Sequence, residues 1–545
     1  MTSAMTEEQL PGLIGREHEL AQLDAALSAA LAGRGRLVVL TGEPGIGKTA
    51  LARAFVERAA ERGASWVWGT CWDGGGAPAY WPWVQVVRAL ARTEGVGTLR
   101  GLLGDDAAWL ARLLPELSDT PAPPTERLAP ESEQARFRLF DALAGLLASV
   151  ADRRPLVVVL DDLHWADASS LLALEFVGRA LPDMRVLVVA AYRHVEAHAR
   201  DELASPLAGL ARSATRLPLQ GLDRDAVERL ATARAVAAGE RGIAPRLLAA
   251  VHDASAGNPF YVDELVRLLA DLGRLQDALA GERPLPLPDS VRDAIRRRME
   301  VLGDDAVEAL SAAAVIGGEF RASTLAALLE IEPADALERL ERPLRAGIVV
   351  ERTDPGSFGF EHALVRDTLL QGLGVARRAQ LHHRAAEALE QLYREDPEPE
   401  LAEIAHHFLE AATDGGAERA VDYAARAAAR AMRQFAYEEA ARAYRRARST
   451  SRRRCRPTSG APATWRRGSA RRSCVRATSK AGAARCAPPP STPAGSAIAS
   501  AWRTRRSPAR SNRSRRAPKT PASSRWSRRR SQPSTTRART SPGGA

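Results

Sequence analysis

Residues 37–49 read LVVLTGEPGIGKT, an apolar run that passes directly into a complete G-x-x-x-x-G-K-T pattern. Leu37, Val38, Val39 and Leu40 read as a buried strand. Residues 50–58 (ALARAFVER) follow with strong helix formers and no breaker. Strand, glycine-rich turn and helix in that order make a phosphate cradle. Gly42, Gly45 and Gly47 let successive backbone N–H groups turn inward, with Glu43, Pro44 and Ile46 between them. Ala50 lies in the first turn of the helix, whose N-terminus carries partial positive charge. Lys48 supplies a cation for the β- and γ-phosphates, and the Thr49 hydroxyl a ligand for Mg²⁺. The pattern implies a nucleotide-binding chain, with ATP or ADP and Mg²⁺ as the expected ligands.

Residues 156–167 (LVVVLDDLHWAD) complement this loop. An apolar run ending in two acids is the Walker B arrangement, a central parallel strand delivering carboxylates at its C-terminal edge. Asp161 is expected to hold the Mg²⁺ shell and Asp162 to polarise the attacking water. A third strand, residues 185–191 (RVLVVAA), runs into Tyr192-Arg193. An arginine at that tip can distinguish ATP from ADP by touching the γ-phosphate, although a surface arginine after any strand would look the same. Strands near residues 37, 66, 157, 187 and 216 alternate with helices. Residues 1–222 are therefore expected to form a three-layer α/β P-loop NTPase domain with a parallel sheet.

Before the phosphate loop, residues 13–17 (LIGRE) open a helix with Leu20, Leu23 and Leu27 on one face. Ile14 in this segment either covers an adenine or only packs. The aromatic run Tyr80-Trp81-Pro82-Trp83 reads as a packed corner in preference to a ligand platform. Past Leu222 the strands stop. Residues 223–285 read as a helical lid, interrupted at Gly257-Asn258-Pro259-Phe260. Residues 286–375 give helices and two short strands, at 348–351 and 358–360, around Asp354-Pro355-Gly356, which describes a winged helix. Residues 376–448 are helical and Ala-rich. Ala440, Tyr444 and Ala447 have the spacing of a tetratricopeptide unit, and an Ala-rich bundle is the plainer alternative.

The 545 residues suffice for roughly three or four domains. The formal charge of +11 misleads about their character. Of the 77 Lys and Arg, 25 lie in residues 449–545, which hold none of the 66 Asp and Glu. Residues 1–448 thus carry 52 basic against 66 acidic groups, a net charge of −14. The tail also lacks Leu, and its Arg, Ser, Pro and Ala predict disorder. As it stands it would bind nucleic acid loosely and in a salt-dependent way. The abrupt change after Arg448, in mid-repeat, fits a reading frame lost within a GC-rich gene better. The four cysteines show no disulfide or zinc spacing, and the N-terminus shows neither a basic start nor an apolar run. No stretch approaches the ~18 apolar residues of a membrane span. A cytoplasmic chain with no membrane partner is expected.

The stretches GREHEL at 15–20, LDDLHWAD at 160–167, GNPFYVDEL at 257–265 and FEHALVRDTL at 360–369 resemble the STAND signal-transduction ATPases. The resemblance covers residues 12–448 and is to the large ATP-binding regulators of the LuxR type and their maltose-regulator relatives. It implies a nucleotide switch, closed with ADP and assembling with ATP, in which Pro259 contacts the base and His362 reports on the phosphates. It also implies an inducer or protein partner at the helical region, and hydrolysis that is slow, since no opposed arginine finger is identifiable. DNA would be reached only through a helix-turn-helix effector that is absent here. Two other functions stay open: an initiator-type AAA ATPase binding DNA through its winged helix, and a nucleotide-binding scaffold without turnover. The first would need a basic recognition helix, and residues 333–342 (PADALERLER) are mixed in charge.

Overall fold

The computed structural model describes residues 13–454 apart from 72–75, 119–132, 194–208, 211–213, 241, 274, 276–289, 353 and 412–416. The three central strands of its first sheet have almost no exposed side chain. β1 (Arg36–Thr41), β3 (Leu156–Asp161) and β4 (Val186–Tyr192) are buried nearly throughout. Such strands need cover on both faces, which helices flanking a parallel sheet provide. β1 pairs in parallel with β4 and with β5 (Thr215–Pro218), and β3 pairs in parallel with β4 and with β2 (Ser65–Thr70). The order is β2-β3-β4-β1-β5, the five-stranded parallel sheet of a P-loop ATPase fold, as the alternation of strands and helices predicts.

This order decides where the chemistry falls. All five strands end at one edge, and β4 lies between the strand that carries the phosphate loop and the strand that carries the two acids. Register places Thr41 beside Tyr192 and Thr70 beside Asp161. Arg193 therefore leaves the sheet between Gly42 and Asp161.

After the sheet come three helices, Arg224–Ala237, Pro245–Ser255 and Pro259–Asp271, packed around Val227, Val251, Val262 and Leu265. The winged-helix region follows with helices Val291–Leu302, Asp304–Ile316, Ala322–Leu329, Pro333–Arg345 and Ala363–Gly372. Its sheet corrects the sequence reading of a two-stranded wing. A third strand, β6 (Glu319–Arg321), pairs antiparallel with β8 (Ser357–Phe360), which also pairs with β7 (Val349–Glu351). β6 is only three residues long with one buried side chain, too short to show an alternation.

The C-terminal part is helical: Val375–Leu392, Leu401–Glu410, Ala417–Arg433 and Tyr437–Arg454, packed around Ile404, Phe408, Tyr423 and Ala447. The last helix continues past Arg448. The features expected of the tail beyond Arg454 lie outside the described residues. Among the described residues no helix is long and apolar enough to cross a membrane.

Candidate nucleotide site

The phosphate loop has the backbone that its glycines permit. Gly45 and Gly47 have φ of +79° and +99°, and Gly47 caps the helix Lys48–Glu61 in the left-handed conformation. Gly45 is also needed for closeness: a Cβ there would lie 2.9 Å from both Asn258 Oδ1 and Phe260 Cβ. Lys48 is buried and folded back, its Nζ donating to the carbonyls of Gly42 (3.0 Å) and Glu43 (2.9 Å). Ile46 is buried in the core beneath the loop, and its carbonyl accepts from Arg16 Nη2 at 2.9 Å.

The two acids differ in environment. Asp161 is buried and accepts from Thr49 Oγ1 at 2.9 Å and from the Asp162 backbone N–H at 2.9 Å. Burial raises its pKa, and the Thr49 hydrogen bond, then the Asp162 N–H and Lys48, oppose the rise. A hydroxyl and a carboxylate at this separation are hard oxygen donors that fit Mg²⁺. Asp162 is more open and sits at φ 55°, ψ 39°, a conformation Asp tolerates. Its Oδ1 lies 3.8 Å from Nδ1 of the buried His164.

A cleft of about 530 Å³ opens in front of these groups. Lys48, Thr49, Ala50, Asp161, Asp162 and Arg193 line one side, and Arg352, His362 and Arg366 from the winged-helix region line the other. Arg193 is 5% exposed, and its Nη1 lies 4.0 Å from Asp367 Oδ2. His362 stacks on Phe260 with ring centroids 3.8 Å apart. Burial, then the charges of Arg193 and Lys48, push its pKa down to about 3, so the ring is neutral at physiological pH. With Arg53, Arg88 and Arg92 also in the lining, basic groups outnumber acidic ones, as a polyphosphate requires.

Neither Pro259 nor Ile14 is among the residues that line this cleft. Pro259 begins the helix Pro259–Asp271, with its Cγ 3.9 Å from where a Gly47 Cβ would be. Ile14 packs against the core of the three lid helices. Three contacts escaped the sequence reading. Arg16 joins the N-terminal helix to the loop through Ile46 O and to Gln220 O at 2.7 Å. Asn258 caps its helix by accepting from the N–H groups of Phe260 and Tyr261, while its Nδ2 donates to Pro44 O at 2.9 Å. Arg366 donates to Ala314 O at 2.8 Å while lining the cleft. The Asn-Pro pair at a helix start was the readable signal for the second. Arginines that reach distant carbonyls leave none.

On the far side of the Walker B strand, the C-terminal helices meet the ATPase domain. Arg136 Nη1 pairs with Glu438 at 2.8 Å, and the Ala168 N–H donates to Glu439 Oε1 at 3.0 Å. Burial, then the charge of Asp167, push the Glu439 pKa up to about 7. Tyr80 and Trp83 are buried here, the packed corner the sequence predicts: Tyr80 Oη donates to Phe435 O at 3.4 Å and Trp83 Nε1 to Ser170 O at 3.0 Å. Trp81 lines the nucleotide cleft. Between the two parts lies a smaller cleft of about 130 Å³, lined by Cys71, Trp165, Asp167, His406 and Glu439. Cys71 also lines the nucleotide cleft, and its N–H donates to Asp161 O at 3.0 Å.

Sheet order, loop and paired acids together define the fold of a P-loop ATPase, and the family comparison agrees. The family model described as AAA ATPase domain matches residues 12–189, a match that implies nucleotide binding. An uncharacterized protein of Rhizobium meliloti (strain 1021) is 28% identical over 396 residues, 70% of this chain and 37% of that protein. Among solved structures, a STAND protein with a tetratricopeptide repeat sensor from Pyrococcus horikoshii is similar at TM-score 0.42 and 15% identity. The match covers 82% of this chain and 65% of that one. The ORC2 protein of Aeropyrum pernix is similar at TM-score 0.32 and 18% identity, covering 67% of this chain and 97% of that one. The chain thus spans little more than a third of the length of the Rhizobium relative.

Proposed function

We propose that this chain is a nucleotide switch: it binds ATP or ADP with Mg²⁺ in the 530 Å³ cleft, hydrolyses slowly, and serves as the ATPase part of a LuxR-type transcriptional regulator. One observation carries the reading. His362 and Arg366, from the winged-helix region, line the same cleft as Lys48, Asp161 and Arg193. A change at the terminal phosphate is therefore felt directly by a separate module. The divisions at 222, 285, 375 and 448 would then mark the ATPase domain, lid, winged helix and sensor helices.

In this reading the backbone of residues 42–49 orients the phosphates and Lys48 exchanges its carbonyl partners for phosphate oxygens. Mg²⁺, when bound, neutralises charge developing between the terminal phosphates. Thr49 and Asp161 would hold it, and their mutual hydrogen bond keeps both oxygens at the required place. Asp162 accepts the proton of the attacking water, with His164 behind its carboxylate. Arg193 and neutral His362 read whether a γ-phosphate is present. Pro259, next to Gly47 of the loop, would contact the base, and Ile14 would cover the adenine.

The initiator-type alternative has less support, because the arginines of the helix Pro333–Arg345 have internal partners. Arg339 pairs with Glu308, Arg342 donates to Leu302 O, and Arg345 pairs with Glu341. Calorimetric titration with ATP and ADP, with light scattering in each nucleotide, tests the switch. A larger assembly in ATP than in ADP is expected. Binding of both with identical hydrodynamic size would reject it in favour of a passive scaffold.

A further inference from the structure

Away from the nucleotide cleft, three imidazoles meet between the helices Val375–Leu392 and Leu401–Glu410. The ring centroids of His382, His406 and His407 are 5.6, 5.1 and 5.3 Å apart, nearly an equilateral triangle. One ring nitrogen from each lies within 4.8 Å of the others, and the Nδ1 atoms of His382 and His407 face each other at 2.8 Å. His407 is 1% exposed, and its Nε2 has no hydrogen-bond partner, nor has His406 Nδ1. Three adjacent imidazoles with unpaired nitrogens are a costly way to fill a core between helices.

The spacing has a simple account. A tetrahedral zinc ion takes histidine nitrogens at about 2.0–2.1 Å, which puts ring centroids roughly 3.2 Å from the metal and roughly 5.2 Å from one another. The observed triangle has that size. Opening the 2.8 Å nitrogen contact by about half an ångström gives the separation of two ligands on one ion. Glu403, one turn before His407, holds a carboxylate oxygen 4.0 Å from His407 Nε2, placed as the acceptor that orients a metal-bound imidazole. His406 also lines the 130 Å³ cleft, which leaves a fourth coordination position facing the ATPase domain.

We propose that His382, His406 and His407 bind one divalent transition-metal ion of the zinc class, with Glu403 as the positioning residue for His407 and an open position toward the interdomain cleft. The site is separate from the Mg²⁺ expected at Thr49 and Asp161, which offers oxygen donors only. Imidazole ligands select zinc, cobalt or nickel over magnesium.

The test uses the full chain with Cys455, Cys474 and Cys486 replaced by serine, stripped with chelator and free of nucleotide. Titration with Co²⁺ is expected to give the intense visible bands of a tetrahedral nitrogen site at one equivalent, displaced by Zn²⁺. His406→Ala, the partly exposed member and the least disruptive change, should weaken Co²⁺ binding at least 10-fold with unchanged circular dichroism. His382→Asn and His407→Gln should abolish the bands. Glu403→Gln should keep the stoichiometry and weaken affinity about 10-fold, the scale of a lost outer-shell partner. No tetrahedral spectrum from the starting protein overturns the proposal. So does an undiminished spectrum in folded His406→Ala, which decides the matter alone if the other two variants do not fold.

Discussion

Lys48 is the residue on which nucleotide affinity should depend most. Its two hydrogen bonds to loop carbonyls hold the ammonium over the cradle, ready for phosphate. Charge-assisted hydrogen bonds contribute about 1.5–3 kcal/mol each. Lys48→Ala should therefore lower ATP affinity by about 100-fold or more in a calorimetric titration. Asp162→Asn should separate binding from chemistry, because Asp161 and Thr49 keep their mutual contact without it. Unchanged affinity with single-turnover hydrolysis slowed about 100-fold is expected. Arg193→Ala should cost ATP more affinity than ADP, since Arg193 emerges between the loop and the acids and lines the cleft. Equal losses for both nucleotides would make it a structural residue.

At the scale of elements, β1, β3 and β4 were legible because their burial is continuous, and the phosphate loop because its glycines are placed by backbone geometry. What stayed hidden were contacts without local pattern. β6 is three residues long, and its pairing with β8 spans 36 or more residues of sequence. The docking of the helix Pro259–Asp271 on the loop was half visible: the Asn258-Pro259 start is a cap signal, but nothing local says that Asn258 Nδ2 reaches Pro44 O. Asn258→Ala should remove the cap, at about 1 kcal/mol, and loosen the loop as well. Faster amide exchange at residues 42–47 would report it. The same helix is tied to Val291–Leu302 by Glu264 and Arg298, which are almost wholly buried and meet at 2.6 and 2.7 Å through Nη1. Arg298 Nη2 also donates to Ala346 O at 2.6 Å in the winged-helix region. Glu264→Ala would strip the buried guanidinium of its closest carboxylate, leaving it Ala346 O and, at 4.0 Å, Asp271, with an expected loss of about 3 kcal/mol in urea denaturation.

For the whole molecule, the contact between the last helix and the ATPase domain should depend on pH. Glu439 titrates at about 7 in the folded chain against an ordinary 4.5, so the folded state holds a proton that the unfolded state releases. That contribution is fully present below 4.5 and is lost as pH rises to about 7, by at most about 1.4 kcal/mol per unit. Relative to Glu439→Gln, the stability of the original chain should decline across that window and level off above it. Parallel curves for the two proteins would mean that Glu439 does not carry the proton.

Cys71 gives this interface a built-in clock. The thiol is 5% exposed at the end of β2 and borders both clefts. Burial, then the charges of Asp167, Asp162 and Asp161, keep it protonated, and a protonated thiol scarcely reacts. Its alkylation rate, in a chain whose tail cysteines are serine, therefore reports how often either cleft opens onto it. With ADP the count should be slow. With ATP an increase of about 10-fold is expected if the nucleotide parts the two halves, and an unchanged rate would locate the movement elsewhere.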